Sequence, residues 1–353
     1  MKIYLRSTSC LSPQETFGPD GFDLRPIHYE SNFLKAREPV YESLLDSKLI
    51  RRMSRVIRMG AATAITCLRK GGISDPDAII VGTAYGCLED TEIFLTRFTE
   101  QGEQALSPTA FIHSTHNTVA AQIALILKCH AYNNTFVHRG FSFESALLDG
   151  MMLLEQKEAT NVLVGGIDEL TPTSFAILSR FGLYKNPVVS SPSLYPSTSA
   201  GTIAGEGAAF FLLAAEPSSH DDVCLEGLST FYKPATVNDI KQKVVSFITD
   251  SQRQIADIDL VIAGRNGDKK NDGVYDALQH LVFRDNPIIN YKWLCGEYPT
   301  SASFAMWLAA NILREGKPPA GLGYNSDKPV KKILIYNHYL GVHHALMLLS
   351  SIK

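Results

Sequence analysis

The sequence predicts an α/β fold of two similar halves, each with a mainly parallel sheet covered by helices on both faces. Helical and strand patterns alternate along most of the 353 residues, and the order of elements starts again after residue 215. The strands are continuous apolar runs, which are typical of parallel strands buried on both faces. We therefore assign residues 1–215 to an N-terminal half and residues 216–353 to a C-terminal half.

The N-terminal half begins with a strand, after which residues 47–69 carry apolar side chains at helical spacing and predict one helix. A buried strand that leaves through glycine follows within 77–86, and another lies at 161–166, with a helix at 118–128 and a short strand at 133–137 between them. Residues 185–201 are rich in Ser and Pro and predict a long surface loop. A strand at 205–217 closes this half.

The C-terminal half repeats the plan with a helix from 237, a strand from 258, a helix at 301–316 and a strand, turn and strand from 331 to 349. The boundary lies in residues 214–223, which are polar and acidic and contain proline, as a linker or turn should be.

The composition narrows the classes of function. Hydrophobic residues make up 45% and charged residues 20% of the chain, and the formal net charge is −3. This charge gives no general attraction to nucleic acid or to an anionic membrane, and no apolar run reaches membrane-spanning length. The scattered cysteines form no CxxC pair, which favours reduced, buried thiols and a cytoplasmic protein; they are Cys10, Cys67, Cys87, Cys129, Cys224 and Cys295.

Seven segments, in order, resemble the β-ketoacyl synthase family of the thiolase-like fold. They are LIRRMSRVIRMGAATAI, IIVGTAYG, LSPTAFIHSTHNTVAAQIA, VLVGGIDEL, GEGAAFFLL, NYKWLCGEYPTSASFAMWLA and YNHYLGVHHALMLL. The last lies where the family has an Asn-x-Phe-Gly turn. The resemblance covers nearly the whole chain and implies a layered α-β-α-β-α architecture with no cofactor.

The family's condensing enzymes attach an acyl chain to a cysteine at a helix N-terminus, where the helix end stabilises the thiolate. Counting back from the Gly165–Gly166 strand end places that position on Gly140. Glycine has no attacking atom, and a slip in register would bring Val137 or His138 there, neither of which is a thiol. We interpret Gly140 as part of a tight strand-to-helix turn.

Two histidines of the family polarise the thioester carbonyl, and a lysine supports the site electrostatically. The resemblance places the first histidine on Gly264, with polar neighbours Arg265 and Asn266 and a matching aspartate at Asp272. It places the second on Glu297 and the lysine on Lys292, which suggests a Lys292–Glu297 ion pair. Cys295, beside this turn, is a candidate replacement nucleophile, although core packing is the more common role of such a cysteine.

The histidines outside these positions leave two further hypotheses open. His113 with His116, and His338 with His343 and His344, raise the question of a metal, but zinc needs three or four converging ligands, and we predict none. Alternatively, His116, His138 and His338 converge on the cavity that corresponds to the family's active site and act there as a new acid/base set.

With all three catalytic roles unoccupied, the resemblance is closest to the silent subunits called chain-length factors. It implies a heterodimer with an active ketosynthase, formed through the strand Asn133–Arg139, and a role in shaping its acyl-chain or polyene tunnel. An acyl-carrier protein is the expected acidic partner, held by Arg51, Arg55 and Arg58, which share one face of the predicted 47–69 helix. The alternatives are an active acyltransferase with changed catalytic residues, and a stand-alone binding protein or homodimer.

Overall fold

The computed structural model describes residues 2–18, 22, 24–102, 104, 108–196, 199–218 and 221–352. The strands are β1 (Ile3–Leu11), β2 (Phe33–Leu34), β3 (Ala78–Gly82), β4 (Tyr132–Phe136), β5 (Asn161–Asp168), β6 (Ala204–Gly205), β7 (Gly207–Ala214), β8 (Val223–Tyr232), β9 (Leu260–Ala263), β10 (Ile288–Asn290), β11 (Lys332–Tyr339) and β12 (His343–Ser351).

The helices are α1 (Ser47–Ile50), α2 (Arg55–Lys70), α3 (Leu88–Glu100), α4 (Pro108–His113), α5 (Thr118–Leu127), α6 (Ser142–Glu155), α7 (Pro172–Arg180), α8 (Val237–Asp250), α9 (Gly273–Leu281), α10 (Lys292–Cys295) and α11 (Ala302–Glu315). Short 3-10 turns lie at Tyr41–Ser43, Arg139–Phe141, Ser191–Ser193 and Ile255–Asp257.

The two halves have the same strand order. Ten strands follow one another as β10-β9-β11-β12-β8-β1-β7-β5-β3-β4, so that each half contributes five consecutive strands. When the five strands of each half are numbered along the chain, their order across the sheet, from the outer edge to the centre, is third, second, fourth, fifth, first. The change of half lies between Ala214 and Val223, and we propose residues 215 and 216 as the boundary.

Three apolar clusters lie between the layers of helices and strands. The central cluster contains Phe143 of α6 and Phe304 of α11 together with inward-facing strand residues of both halves, such as Ile80 and Ile335. A second cluster joins α2 and α5 to the outer face of the N-terminal five strands, and a third joins α8 and α9 to the outer face of the C-terminal five strands. The expected α-β-α-β-α layering is therefore confirmed.

The prediction of mainly parallel sheets is wrong. Strands β3, β4 and β5 are parallel, as are β9, β10 and β11, but β7 and β12 run antiparallel to their neighbours. Apolar runs identify buried strands without giving their direction, and the β11–β12 turn at Leu340–Gly341 is too short for a parallel crossover.

The prediction of one helix over residues 47–69 is also wrong. The chain leaves helical geometry after Ile50 and starts again at Arg55, with Ser54 extended as the N-cap of α2. The Arg55 guanidinium is bound by Glu38 and Glu206. These tertiary contacts set the position of the second helix, and periodicity alone did not reveal the break.

The loop at 185–201 is largely irregular, as predicted, but much of it is not at the surface. Leu194 and Ser191 are fully buried, and Lys185 Nζ donates to the Gly267 carbonyl at 2.9 Å. Parts of three predictions lie outside the described residues: residues 106–107 of the third resembling segment, 197–198 of this loop and 219–220 of the boundary. No described helix is both long and apolar enough to cross a membrane.

Candidate functional site

The four positions that the resemblance assigns to the family's catalytic groups meet around the end of β11. Asn337 packs against Gly264, the His338 carbonyl accepts from Lys292, and Tyr339 packs against Gly140. Three consecutive residues of one strand thus contact the nucleophile, histidine and lysine positions.

At the nucleophile position, Gly140 has no room for a side chain. A Cβ added there would lie 2.5 Å from Tyr339 Cβ and 3.0 Å from its ring atoms Cγ and Cδ1, closer than van der Waals contact. Tyr339 itself is anchored by its hydroxyl, which lies 3.1 Å from that of Tyr85. The space at the start of α6 is therefore filled by a tyrosine ring.

The turn before α6 is held by Ser142, the first residue of the helix. Its Oγ accepts from the His138 amide at 2.9 Å and donates to the Arg139 carbonyl at 2.8 Å. Arg139 has a φ of 49°, in the left-handed region, which is uncommon for a residue with a Cβ. The turn keeps the tight strand-to-helix geometry predicted from the sequence.

At the first histidine position, a Cβ on Gly264 would overlap Asn337 Oδ1, which instead accepts from the Tyr291 hydroxyl at 3.1 Å. The following loop is fixed by Asp272, whose Oδ1 accepts from the Asn266 amide at 3.0 Å. Arg265 lies 3.2 Å from Asp272 Oδ2. This loop is a buried hydrogen-bonded turn with no side chain at the histidine position.

At the second histidine position, Glu297 is held by two donors. Its Oε2 lies 2.6 Å from Lys292 Nζ and 2.6 Å from Asn266 Nδ2, and Lys292 is fully buried. Burial raises the pKa of Glu297, and the Lys292 ammonium opposes that shift. Its Oε1 has no hydrogen-bond partner among the described residues. The ion pair suggested by the sequence is present, and it pairs Lys292 with a carboxylate of the same chain.

The remaining cavity is small. It has a volume of about 20 Å³, room for roughly one water molecule. The side chains around it are largely aromatic and polar: Tyr85, Leu183, Tyr184, Thr202, Asn266, Asp268, Glu297, Tyr298, Tyr339 and Leu340. An acyl chain does not fit in this space without displacing the tyrosines.

Cys295 and His338 are buried and engaged. Burial raises the pKa of the Cys295 thiol well above its ordinary value, and Sγ lies 3.2 Å from the Gly296 carbonyl oxygen. Burial lowers the pKa of His338 well below its ordinary value. Its Nε2 lies 3.1 Å from the Asn271 carbonyl, and Nδ1 accepts from the Gly341 amide at 3.3 Å. A protonated thiol is a poor candidate for a nucleophile, and a neutral imidazole with both nitrogens hydrogen-bonded is a poor candidate for a base.

His116 and His138 are exposed, and His116 packs against Gly86. In the described part of the chain, no ring contact joins His116, His138 and His338 to one another, although His138 lies near His343. Nor do the described residues include a group of three or more His, Cys, Asp or Glu placed to hold a metal ion. All six cysteines are free and buried.

The predicted arginine face is not formed. Arg51 is exposed in the turn between α1 and α2, whereas Arg55 is bound by Glu206 at 2.5 Å and by Glu38 at 2.5 Å. Arg58 lies over the Tyr41 ring, 5.6 Å from its centroid. The helix break separates Arg51 from the other two, so only Arg51 of the three is a free surface cation.

The sequence did not single out Glu144 or Tyr339. Glu144 lies in the first turn of α6, is 1% exposed, and has no hydrogen-bond partner for either oxygen among the described residues. Burial raises its pKa to about 8. Tyr339 had one signal: it occupies the aromatic place of the Asn-x-Phe-Gly resemblance. Glu144 had the signal of a charge on the apolar face of a helix.

Comparison with known proteins identifies the architecture. Residues 30–189 match the family model of the β-ketoacyl synthase N-terminal domain. The chain is β-ketoacyl-synthase-like. No curated protein matches its sequence.

Solved structures agree with this β-ketoacyl-synthase-like fold over the full length. The ishigamide ketosynthase/chain length factor is similar with a TM-score of 0.80 at 16% identity, over 100% of this chain and 99% of that chain. A β-ketoacyl synthase from Burkholderia phymatum gives 0.79 at 14% identity over 100% of both chains.

The ketosynthase ApeO in complex with its chain length factor ApeC, from Xenorhabdus doucetiae, gives 0.75 at 15% identity, covering 99% of this chain and 98% of that chain. At these identities the likeness shows the fold, and the predicted thiolase-like class is confirmed.

Proposed function

We propose that this chain is a non-catalytic partner subunit of the chain-length-factor type, which pairs with an active ketosynthase and shapes the tunnel for its growing acyl chain. The observation that carries the proposal is the packing of Gly140 on Tyr339. A side chain at Gly140 would come 2.5 Å from Tyr339 Cβ, so this position excludes a nucleophile by space as well as by residue type.

The two histidine positions support the same proposal. Neither Gly264 nor Glu297 supplies a neutral donor to a developing enolate, and Lys292 is paired with Glu297 at 2.6 Å. A carboxylate disfavours negative charge on a neighbouring oxygen. The chemistry of decarboxylating condensation therefore lacks its attacking atom and its electrostatic stabilisation.

The free edge of the sheet supplies a surface for a partner. Strand β4 ends the strand order and pairs only with β3 among the described strands. Exposed apolar side chains flank it on α5, α6 and the strand itself. We call β4 together with these residues the partner-facing edge: Leu125, Tyr132, Val137, Leu148 and Met152.

Contacts join these residues into one surface. The Tyr132 hydroxyl donates to Asp149 Oδ2 of α6 at 3.1 Å, and Asn133 Nδ2 donates to the Ala120 carbonyl of α5 at 3.1 Å. Both helices therefore lie beside the edge strand. An exposed strand edge with apolar neighbours is the kind of surface that a second sheet covers.

The similar structures fit this proposal, because two of them are described as a ketosynthase together with a chain length factor. A further similar structure, with a TM-score of 0.76 at 12% identity over 99% of both chains, is described as an acyl-carrier protein in complex with its ketosynthase. A carrier protein is accordingly the second partner we propose, with Arg51 as the available contact.

The test expresses the chain with and without a candidate ketosynthase that retains one Cys and two His. Native mass spectrometry should show a one-to-one heterodimer. Intact mass after incubation with acyl-carrier protein and a malonyl donor should show the acyl adduct on the ketosynthase alone. A homodimer without ketosynthase binding would favour the stand-alone protein. Turnover by the isolated chain, lost in Glu297→Gln, would favour the altered enzyme.

A further inference from the structure

His343 lies at the place where the β11–β12 hairpin meets the turn before α6. Its side chain is nearly buried, with the residue 7% exposed. The ring centroid is 4.7 Å from that of Phe141 in an edge-to-face contact and 6.4 Å from that of His138. Its Nδ1 has no hydrogen-bond partner among the described residues. A neutral imidazole therefore forms the contact between the two elements.

The surroundings of His343 oppose a positive charge. Burial lowers its pKa most, the charges of His138, Arg139 and Lys233 lower it further, and the Tyr339 backbone partly opposes this shift. These groups come from the turn before α6 and from the end of β8. The other titratable rings against it are Tyr232 of β8 at 5.2 Å and Tyr339 of β11 at 6.3 Å. His344 is its neighbour on β12.

The turn is attached to the hairpin through two adjacent residues. Gly140 packs on Tyr339, and Phe141 packs on His343. On one side the turn leads to α6, and on the other it follows β4, three residues after the end of that strand at Phe136. Any separation of the turn from the hairpin is thus transmitted to β4 and α6, which both belong to the partner-facing edge.

We propose that His343 is an acid-sensitive latch between the hairpin and the turn before α6. As pH falls below about 6.5, the ordinary pKa of histidine, the separated state, in which Nδ1 of His343 meets solvent, binds a proton that the packed state does not, and separation becomes favourable. The imidazolium is repelled by Arg139, Lys233 and His138 and loses its apolar contact with Phe141. The turn separates from the hairpin, and the partner-facing edge loses its fixed geometry. This last consequence rests on the proposed pairing with a ketosynthase.

The two neighbouring histidines are placed differently. His338 has both ring nitrogens engaged by backbone groups at Asn271 and Gly341. His344 points to the opposite face of β12, where it stacks on Phe231 with a centroid distance of 4.9 Å. Both add to acid sensitivity, since burial also lowers their pKa values, but neither makes a described ring contact with the turn before α6.

Hydrogen exchange of the full chain tests the latch without a partner. Exchange of peptides covering 137–147 is measured at pH 7.5 and 5.5 and corrected for the intrinsic pH dependence of exchange. We expect the wild type to lose protection there by up to about tenfold per pH unit below 6.5. His343→Phe, which keeps an aromatic ring without a titrating nitrogen, should keep its protection. The exposed His280→Gln should behave as the wild type.

The result that overturns the latch is an equal loss of protection in wild type and His343→Phe. If the phenylalanine variant does not fold, His343→Gln replaces it with the same expectation. The second arm measures ketosynthase binding at both pH values. Binding that weakens in acid equally for wild type and variant would overturn the link to the partner-facing edge. Absence of binding at pH 7.5 would instead contradict the proposed function and leave the exchange result standing.

Discussion

Gly140 is in contact with Tyr339, which leaves no space for a cysteine side chain. Replacing Gly140 with the family's cysteine should therefore not give a working nucleophile. In Gly140→Cys the new Cβ meets Tyr339 Cβ at 2.5 Å, and we expect a loss of about 1–3 kcal/mol in the free energy of unfolding. Urea denaturation measures the loss, and intact mass should show no thioester. Gly273→Cys is the control, because a Cβ there meets nothing within 4 Å. A stable, acylated Gly140→Cys protein would contradict the packing argument.

Glu144 gives a prediction with a definite pH dependence. Burial raises its pKa from 4.5 to about 8, so between these values the folded chain binds a proton that the unfolded chain does not. Stability therefore falls as pH rises through this window, by up to about 1.4 kcal/mol per pH unit. Glu144→Gln removes this dependence.

The measurement for Glu144→Gln is urea unfolding at pH 5.5, 6.5 and 7.5. The variant should gain stability relative to the wild type as pH rises. Glu155→Gln, at the exposed end of the same helix, should give a difference that does not change with pH. A constant difference for Glu144→Gln would show that this carboxyl has an ordinary pKa in the folded chain.

Single residues were predictable where a motif fixed their place along the chain. The spacing from Gly165–Gly166 gave the turn at Gly140, and the order of Lys292 and Glu297 suggested their ion pair. The packing of Tyr339 against Gly140 was not predictable, because the two residues lie about 200 positions apart in the sequence. Contacts between such distant residues depend on the tertiary fold, which local patterns do not contain.

Helix α2 shows how a buried ion pair positions an element. Glu206 accepts from Arg55 at 2.5 and 2.8 Å and from the amides of Ala36 and Leu170. Arg55→Ala leaves this fully buried carboxylate without its cation, and we expect a loss of about 3–5 kcal/mol in the free energy of unfolding. Thermal or urea unfolding measures it. Arg51→Ala should stay within about 0.5 kcal/mol. Equal effects of both would contradict the structural role of Arg55.

The partner-facing edge predicts which substitutions separate the subunits. Leu148 and Met152 are 47% and 45% exposed on one face of α6. A charge placed in an apolar interface must be desolvated, so Leu148→Asp should weaken ketosynthase binding at least tenfold with little effect on unfolding. Biolayer interferometry measures the affinity. Leu281→Asp, 51% exposed on α9, which packs on the outer face of the C-terminal half of the sheet, is the control. Equal loss in both variants would place the interface elsewhere.

Elements were predicted best where apolar periodicity was long and uninterrupted. α8 and α11 begin within one residue of their predicted starts, and β3 lies within the segment 77–86 that was predicted to hold a buried strand. The break at residues 51–54 was missed because apolar spacing continues through it. The antiparallel direction of β7 was missed because a strand buried on both faces has the same apolar run in either direction.

At the scale of the whole molecule, the repeated alternation of helices and strands was enough to predict two similar halves. The structure adds how they join. β1 of the first half pairs antiparallel with β8 of the second through Ile3 with Leu225 and Tyr4 with Cys224. α11 of the second half packs on β1, β5 and β7 of the first. The halves are therefore parts of one packed body.

This arrangement predicts that the chain unfolds in one transition. The central cluster contains Leu5 and Phe143 of the first half and Phe304 and Trp307 of the second, so neither half keeps its apolar core without the other. Both tryptophans, Trp293 and Trp307, lie in the second half. Their fluorescence and the far-ultraviolet circular dichroism of the whole chain should give coincident urea transitions.

Arg55→Ala sharpens this test, because the substitution lies in the first half and both fluorescent reporters lie in the second. In a coupled molecule the loss of the Arg55–Glu206 pair lowers the fluorescence midpoint and the dichroism midpoint by the same amount. If the halves unfold independently, the fluorescence midpoint stays at its wild-type value while part of the dichroism signal moves to lower urea. That separation would contradict the shared core.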